Sequence, residues 1–125
     1  MKTMFVETIE FSKWYPRFLP GPAYSELQKE LIANPRKGDV MLGCGGLRKL
    51  RIADPKRQKG KRGGARVIYL YIPEANQFLM LDVYSKGQKD DLSPSEKKDL
   101  RELAREYKRL IVEAAQKANK KEQES

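Results

Sequence analysis

Four side chains in this sequence form a suitable mixture to act on a phosphodiester without a metal ion or a histidine: Lys49, Arg51, Arg66 and Lys86. RNA carries its own nucleophile, because the ribose 2′-hydroxyl lies beside the scissile phosphate. A protein need only align the two and stabilise the charge that develops. Clustered cations do so by holding the phosphorane oxygens, and crowding among like charges lowers a lysine's pKa, so that neutral amine becomes available as a base near pH 7. Residue types alone leave this chemistry beside a simpler one, the binding of a polyanion.

Position along the chain strengthens the grouping. Period-two alternation over Leu47 to Ile52 sets Leu50 and Ile52 on one face of a strand and Lys49 and Arg51 side by side on the other. Two further strands, Arg66 to Ile72 and Gln77 to Ser85, are joined by a turn at Pro73 to Asn76 and form an antiparallel hairpin. With the turn centred near Ala75, residues whose numbers sum to about 150 face each other, which places Arg66 opposite Tyr84 with Lys86 diagonally beyond, all on one face. Tyr69, Tyr71 and Tyr84 could each offer a stacking surface to an unpaired base, although hairpin tyrosines more often pack. Tyr84 is the functional candidate because its expected neighbours are Arg66 and Lys86.

The charge balance points the same way. Arg48, Lys49, Arg51, Lys56, Arg57, Lys59, Lys61, Arg62 and Arg66 face a single acid, Asp54, so this stretch supplies +8 of the net +9 and the rest of the chain +1. A field this concentrated suits a polyanion, and Arg48, Lys56, Arg57, Lys59, Lys61 and Arg62 are the candidate RNA contacts. Neither glycine–lysine stretch has the lysine followed by Ser or Thr that a metal-nucleotide loop requires. With no histidine and one cysteine, zinc sites and histidine acid–base catalysis are excluded, and neither a metal nor another cofactor is expected. Cys44, set among glycines, reads as a structural thiol, and Asp90-Asp91 as acids favoured by a helix start.

Around these residues the chain divides simply. Its 125 residues suit one domain, taken as 1–118, followed by a charged tail over 119–125 that is expected to fray. The longest apolar run, Val67 to Ile72, is far too short to span a bilayer, so no membrane association and a cytoplasmic location are expected. Met4 to Ile9 reads as a first strand. A helical hairpin follows, its first piece presenting Phe11, Trp14, Tyr15 and Phe18, its second running from Pro22 to Asn34 with Tyr24, Leu27 and Leu31 on one face. Gly43 to Gly46 turns the chain into the Lys49 strand, and Pro55 to Gly64 is a basic loop. Ser93-Pro94-Ser95-Glu96 combines a capping box with proline at the first helical position. The helix it starts carries Leu100, Leu103, Tyr107, Leu110, Ile111, Ala114, Ala115 and Ala118 as one apolar stripe.

Three segments read together resemble the RelE/HigB family of type II toxin–antitoxin toxins, within the RelE/ParE superfamily: Gly43 through Arg51, Gly60 through Tyr69, and Val83 through Ser93. The likeness runs in segment order from about Met4 to Leu103. It implies an α+β fold, a compact four-stranded antiparallel sheet with an N-terminal helical hairpin and a long C-terminal helix. It also implies a ribosome-dependent endoribonuclease, an mRNA interferase that stops translation by cutting mRNA in the decoding site. A cognate antitoxin would neutralise it, and operator DNA would be reached only through the antitoxin complex. Carried over by motif, the cleavage site would be lined by Lys49 and Arg51 on the second strand, Arg66 at the start of the third, and Tyr84 with Lys86 at the end of the fourth. Better-known members carry a tyrosine near the site where this chain has Asp90-Asp91-Leu92, which leaves the general base unassigned. The basic loop from Lys56 to Arg62 is longer than a minimal member needs and suggests contacts to ribosomal RNA. Two alternatives remain open, a ParE-like toxin that inhibits DNA gyrase by binding and a non-catalytic nucleic-acid-binding module.

Overall fold

Alternating β-branched, aromatic and aliphatic residues build the centre of the molecule, a hairpin of two long strands. The computed structural model describes residues 2–53, 60, 64–89 and 91–124. In chain order the elements are β1 (Met4–Glu7), α1 (Ile9–Phe18), α2 (Ala23–Ala33), β2 (Asp39–Val40), β3 (Arg48–Ile52), β4 (Ala65–Ile72), β5 (Gln77–Ser85) and α3 (Pro94–Glu124). The strands form one sheet in the order β1-β5-β4-β3-β2.

The α+β class expected from the resemblance holds, but the sheet corrects its count and direction. It has five strands, not four, and is mixed, not purely antiparallel. β1 pairs with β5 in parallel, from Met4↔Gln77 to Glu7↔Met80, while β2, β3, β4 and β5 are antiparallel to their neighbours. The physical reason lies in the connection. α1 and α2 carry the chain away from β1 to the far edge of the sheet, so β1 need not return as a hairpin and can lie parallel beside β5. The strand is also shorter than Met4 to Ile9, because Thr8 ends it. The Thr8 hydroxyl accepts the Phe11 N–H at 3.1 Å, capping α1, and donates to the Leu81 carbonyl at 2.9 Å.

Each face of the sheet carries its own core. On one side, Phe11 and Phe18 of α1 and Leu27 and Leu31 of α2 meet Leu50, Val67, Tyr69, Phe78 and Met80. Full burial of side chains of this size contributes roughly 1.5–3 kcal/mol each. Trp14 does not join them as expected. It sits on the rim, 43% exposed, since a helix ten residues long can turn only a narrow stripe inward. On the other side Ile68, Leu70, Ile72, Leu79 and Leu81 are covered by Leu92, Ala104 and Ile111, with Leu100, Tyr107 and Ala115 partly buried. The apolar stripe of α3 is therefore split, for Leu103 and Leu110 face outward. The capping box closes as the sequence implies: the Ser93 hydroxyl accepts the Glu96 N–H at 3.1 Å and Glu96 accepts the Ser93 N–H at 2.9 Å. The helix runs to Glu124.

The short strand β2 depends on one glycine. Gly38 has φ +92°, and a Cβ there would stand 2.6 Å from the Lys49 carbonyl oxygen. Only glycine lets this segment approach β3 closely enough for Asp39 to pair with Lys49 and Val40 with Arg48.

Candidate active site

The alternation read from β3 is the one observed. Leu50 and Ile52 enter the core beneath α1 and α2, so Lys49 and Arg51 fall on the opposite face, the one that α3 shares. Across the strands, Arg51 stands opposite Arg66 and Arg66 opposite Tyr84, making one row over β3, β4 and β5. The neighbouring row is Lys49, Ile68 and Asp82. Lys49 and Arg66 are thus diagonal neighbours, which in a sheet lie about 7–8 Å apart, within reach of long side chains. The Arg66–Tyr84 pair agrees with the register taken from the turn.

That agreement rests on a β-bulge. Pairing runs Ala65↔Ser85 to Ile68↔Asp82, then shifts to Tyr69↔Met80 and ends at Ile72↔Gln77, leaving Leu81 as an extra residue on β5. Toward the turn, each pair therefore departs by one residue from the expected sum. Phe78 and Met80 belong to the α1 core, while Tyr84, an even number of residues on, belongs to the α3 core. Without the bulge Tyr84 would follow Phe78 and Met80 to the face away from Arg66.

The row sets two cations against each other. Arg66 is 5% exposed and donates from Nη1 to the Ala65 carbonyl at 3.0 Å, while exposed Arg51 places a like charge directly opposite. Like charges facing across strands destabilise a sheet, and a buried guanidinium is expensive to desolvate. Tyr84 is 4% exposed, and its hydroxyl is the one buried side-chain polar atom without a hydrogen-bond partner among the described residues. Burial, with the negative field of Asp91 added and that of Arg66 opposing, pushes its pKa up to about 12. The group is therefore a neutral hydroxyl near pH 7, able to donate a hydrogen bond and unable to serve as a phenolate base. The Lys89 ammonium lies 5.0 Å from the ring centroid, and Tyr84 borders a cleft of about 430 Å³ together with Trp14, Phe18, Asp82 and Lys89.

The segment after β5 folds back over this face. Lys49 Nζ donates to Asp91 Oδ1 at 3.3 Å, Lys97 Nζ to Asp91 Oδ2 at 3.2 Å, and the Leu92 N–H to Asp91 Oδ1 at 2.8 Å. Partial burial raises the Asp91 carboxyl, but the Leu92 N–H and the two lysines outweigh it and hold the group below the usual carboxylate range. Glu96 is likewise held low, first by Lys89, whose ammonium is 2.5 Å away, and by the Ser93 N–H. Asp82, at the bulge, goes the other way because burial raises it.

Of the remaining expected residues, Lys86 continues the β5 register beyond Tyr84, whereas Arg48 falls on the other face. Lys86 follows Tyr84 by two residues, half-buried, and its backbone N–H bonds the Gly64 carbonyl at 2.9 Å, extending the β4–β5 pairing past Ser85. Arg48 is opposite Tyr69, on the α1–α2 face, and donates to the Gly38 carbonyl at 3.1 Å, so it does not converge with Lys49 and Arg51. Lys56, Arg57, Lys59, Lys61 and Arg62 lie outside the described residues. Asp91 is the residue that sequence reasoning passed over, having read it as a helix-start acid. Its position just before a capping box that is complete without it was the available signal. Among the described residues no group of three or more His, Cys, Asp or Glu side chains could hold a metal ion, and no helix is long and apolar enough to cross a membrane.

A family model described as the RelE toxin of the RelE/RelB toxin–antitoxin system matches residues 24–124. The match runs from α2 to the end of α3 and contains every residue of the Arg51–Arg66–Tyr84 row. The protein belongs to the RelE toxin family, and is a toxin of a toxin–antitoxin system with a cognate antitoxin as the partner that membership implies.

Proposed function

We propose that this toxin is a ribosome-dependent mRNA endoribonuclease, which stops translation by promoting attack of a 2′-hydroxyl on the adjacent phosphate, without a metal ion, until its antitoxin neutralises it. The observation that carries this reading is the row of Arg51, Arg66 and Tyr84 with Lys49 diagonal to it, on a single sheet face. In this reading Arg66 holds the non-bridging oxygens as negative charge develops, Arg51 adds a second cation, and Tyr84 lines the site beside them. Guanidinium groups do not give up protons and Tyr84 stays neutral, so proton transfer falls to Lys49 or Lys86. The loop carrying Lys56, Arg57, Lys59, Lys61 and Arg62 contacts ribosomal RNA, and the whole reaction takes place in the cytoplasm.

Transcript ends mapped after a short induction test the reading. It predicts codon-linked cuts within translated mRNA. DNA damage without such cuts would support gyrase inhibition, and growth arrest with intact RNA and DNA would support a binding module.

A further inference from the structure

Resting on the reading that this chain cleaves RNA, we propose that Asp91 is a positioning residue, which aims the Lys49 ammonium at the reacting phosphodiester. The two residues come from distant elements, Lys49 from β3 and Asp91 from the segment before α3, and meet at 3.3 Å. Asp91 is itself fixed: the Leu92 N–H at 2.8 Å and Lys97 Nζ at 3.2 Å hold the carboxylate from the α3 side. A long lysine is thus given a preferred direction by an acceptor that is itself bonded from the α3 side. The same carboxylate is among the charges acting on the Tyr84 hydroxyl.

A merely structural part in starting α3 does not account for this contact. The capping box is closed by Ser93 and Glu96 alone, with Asp91 taking no part in it. A carboxylate here also repels the phosphates of bound RNA, a cost in ground-state binding. That cost is intelligible where the gain appears in the transition state.

The test is cleavage of mRNA on programmed ribosomes by wild-type protein, Asp91→Asn and Asp91→Glu, each also in a Lys49→Ala background, with kcat and KM separated. Asn keeps an acceptor for the Leu92 N–H while removing the charge. We expect Asp91→Asn to lower kcat about tenfold with KM unchanged or lower, and Asp91→Glu to recover part of the loss. In the Lys49→Ala protein, followed over long incubations, Asp91→Asn should cost nothing further. Wild-type kcat in Asp91→Asn, a raised KM at unchanged kcat, or the same tenfold loss without Lys49 would each overturn the assignment while leaving RNA cleavage intact. Wild-type protein that leaves ribosome-bound mRNA whole would overturn the underlying reading, and the assignment with it.

Discussion

In the proposed reaction Arg66 is the side chain on which the chemistry turns, because it is the buried cation of the row and stands between Arg51 and Tyr84. Preorganised charge in a site of restricted solvent is worth more than the same charge in water. Replacing Arg66 with Ala is therefore expected to lower the rate of RNA cleavage by about 10²–10³-fold and relieve growth arrest, while antitoxin binding is retained as evidence of folding. Two tyrosines extend the argument to pH. Burial pushes Tyr84 and Tyr69 from the ordinary 10.0 up to about 12, Tyr69 also donating to the Pro35 carbonyl at 3.1 Å and to that of Lys37 at 2.5 Å. A group whose pKa is higher folded than unfolded gives its full stabilisation below the unfolded value and loses it as pH rises through the folded one. The melting temperature should lose these contributions between about pH 10 and 12, and a Tyr69→Phe/Tyr84→Phe variant should show a shallower fall over that window. Equal slopes in the two proteins would count against this account of the buried hydroxyls.

At the scale of elements, the site is only as good as the placement of β3, and Gly38 sets that placement. A Cβ 2.6 Å from the Lys49 carbonyl, on a backbone with φ +92°, forces either β2 or β3 to move. Gly38→Ala is expected to cost about 1–3 kcal/mol, read as a lower denaturation midpoint at unchanged slope. Ser93→Ala should cost about 1 kcal/mol through the α3 cap, and an unchanged midpoint in either variant would remove the corresponding argument. These elements were not equally legible in the sequence. Period-two alternation exposed the shared face of Lys49 and Arg51, and the Pro73 to Asn76 turn marked the β4–β5 hairpin. The Ser93–Glu96 spacing marked the start of α3. The bulge was hidden, because nothing in Leu79 to Tyr84 distinguishes the residue that will be extra, although the face of Tyr84 depends on it. β2 has two residues, too few for any period to show. The parallel partner of β1 is decided by where α1 and α2 carry the chain, and no local pattern records that. Asp91 escaped notice because acids before a helix have a simpler use, and its bond to Lys49 exists only once β3 and the start of α3 are packed together.

For the molecule as a whole, the chain carries a net charge of +9, of which the stretch from Arg48 to Arg66 supplies +8, and this stretch runs from β3 to the start of β4. Binding driven by neutralised phosphates releases counterions, so affinity for programmed ribosomes should fall steeply, by about 10³-fold between roughly 50 and 200 mM salt. A flat salt response would show that another surface governs docking. Neutralising Lys56, Arg57, Lys59, Lys61 and Arg62 together should flatten that response and weaken binding, with the chemistry of RNA already bound little changed. Arg66 should behave in the opposite way, which separates docking from cleavage within one molecule. The most direct measurement is end analysis of mRNA from programmed ribosomes treated with this protein. Attack by the neighbouring hydroxyl predicts fragments with 2′,3′-cyclic phosphate and 5′-hydroxyl ends from the wild type and very few from Arg66→Ala. Uncut mRNA, or fragments ending in 3′-hydroxyl and 5′-phosphate, would contradict the account.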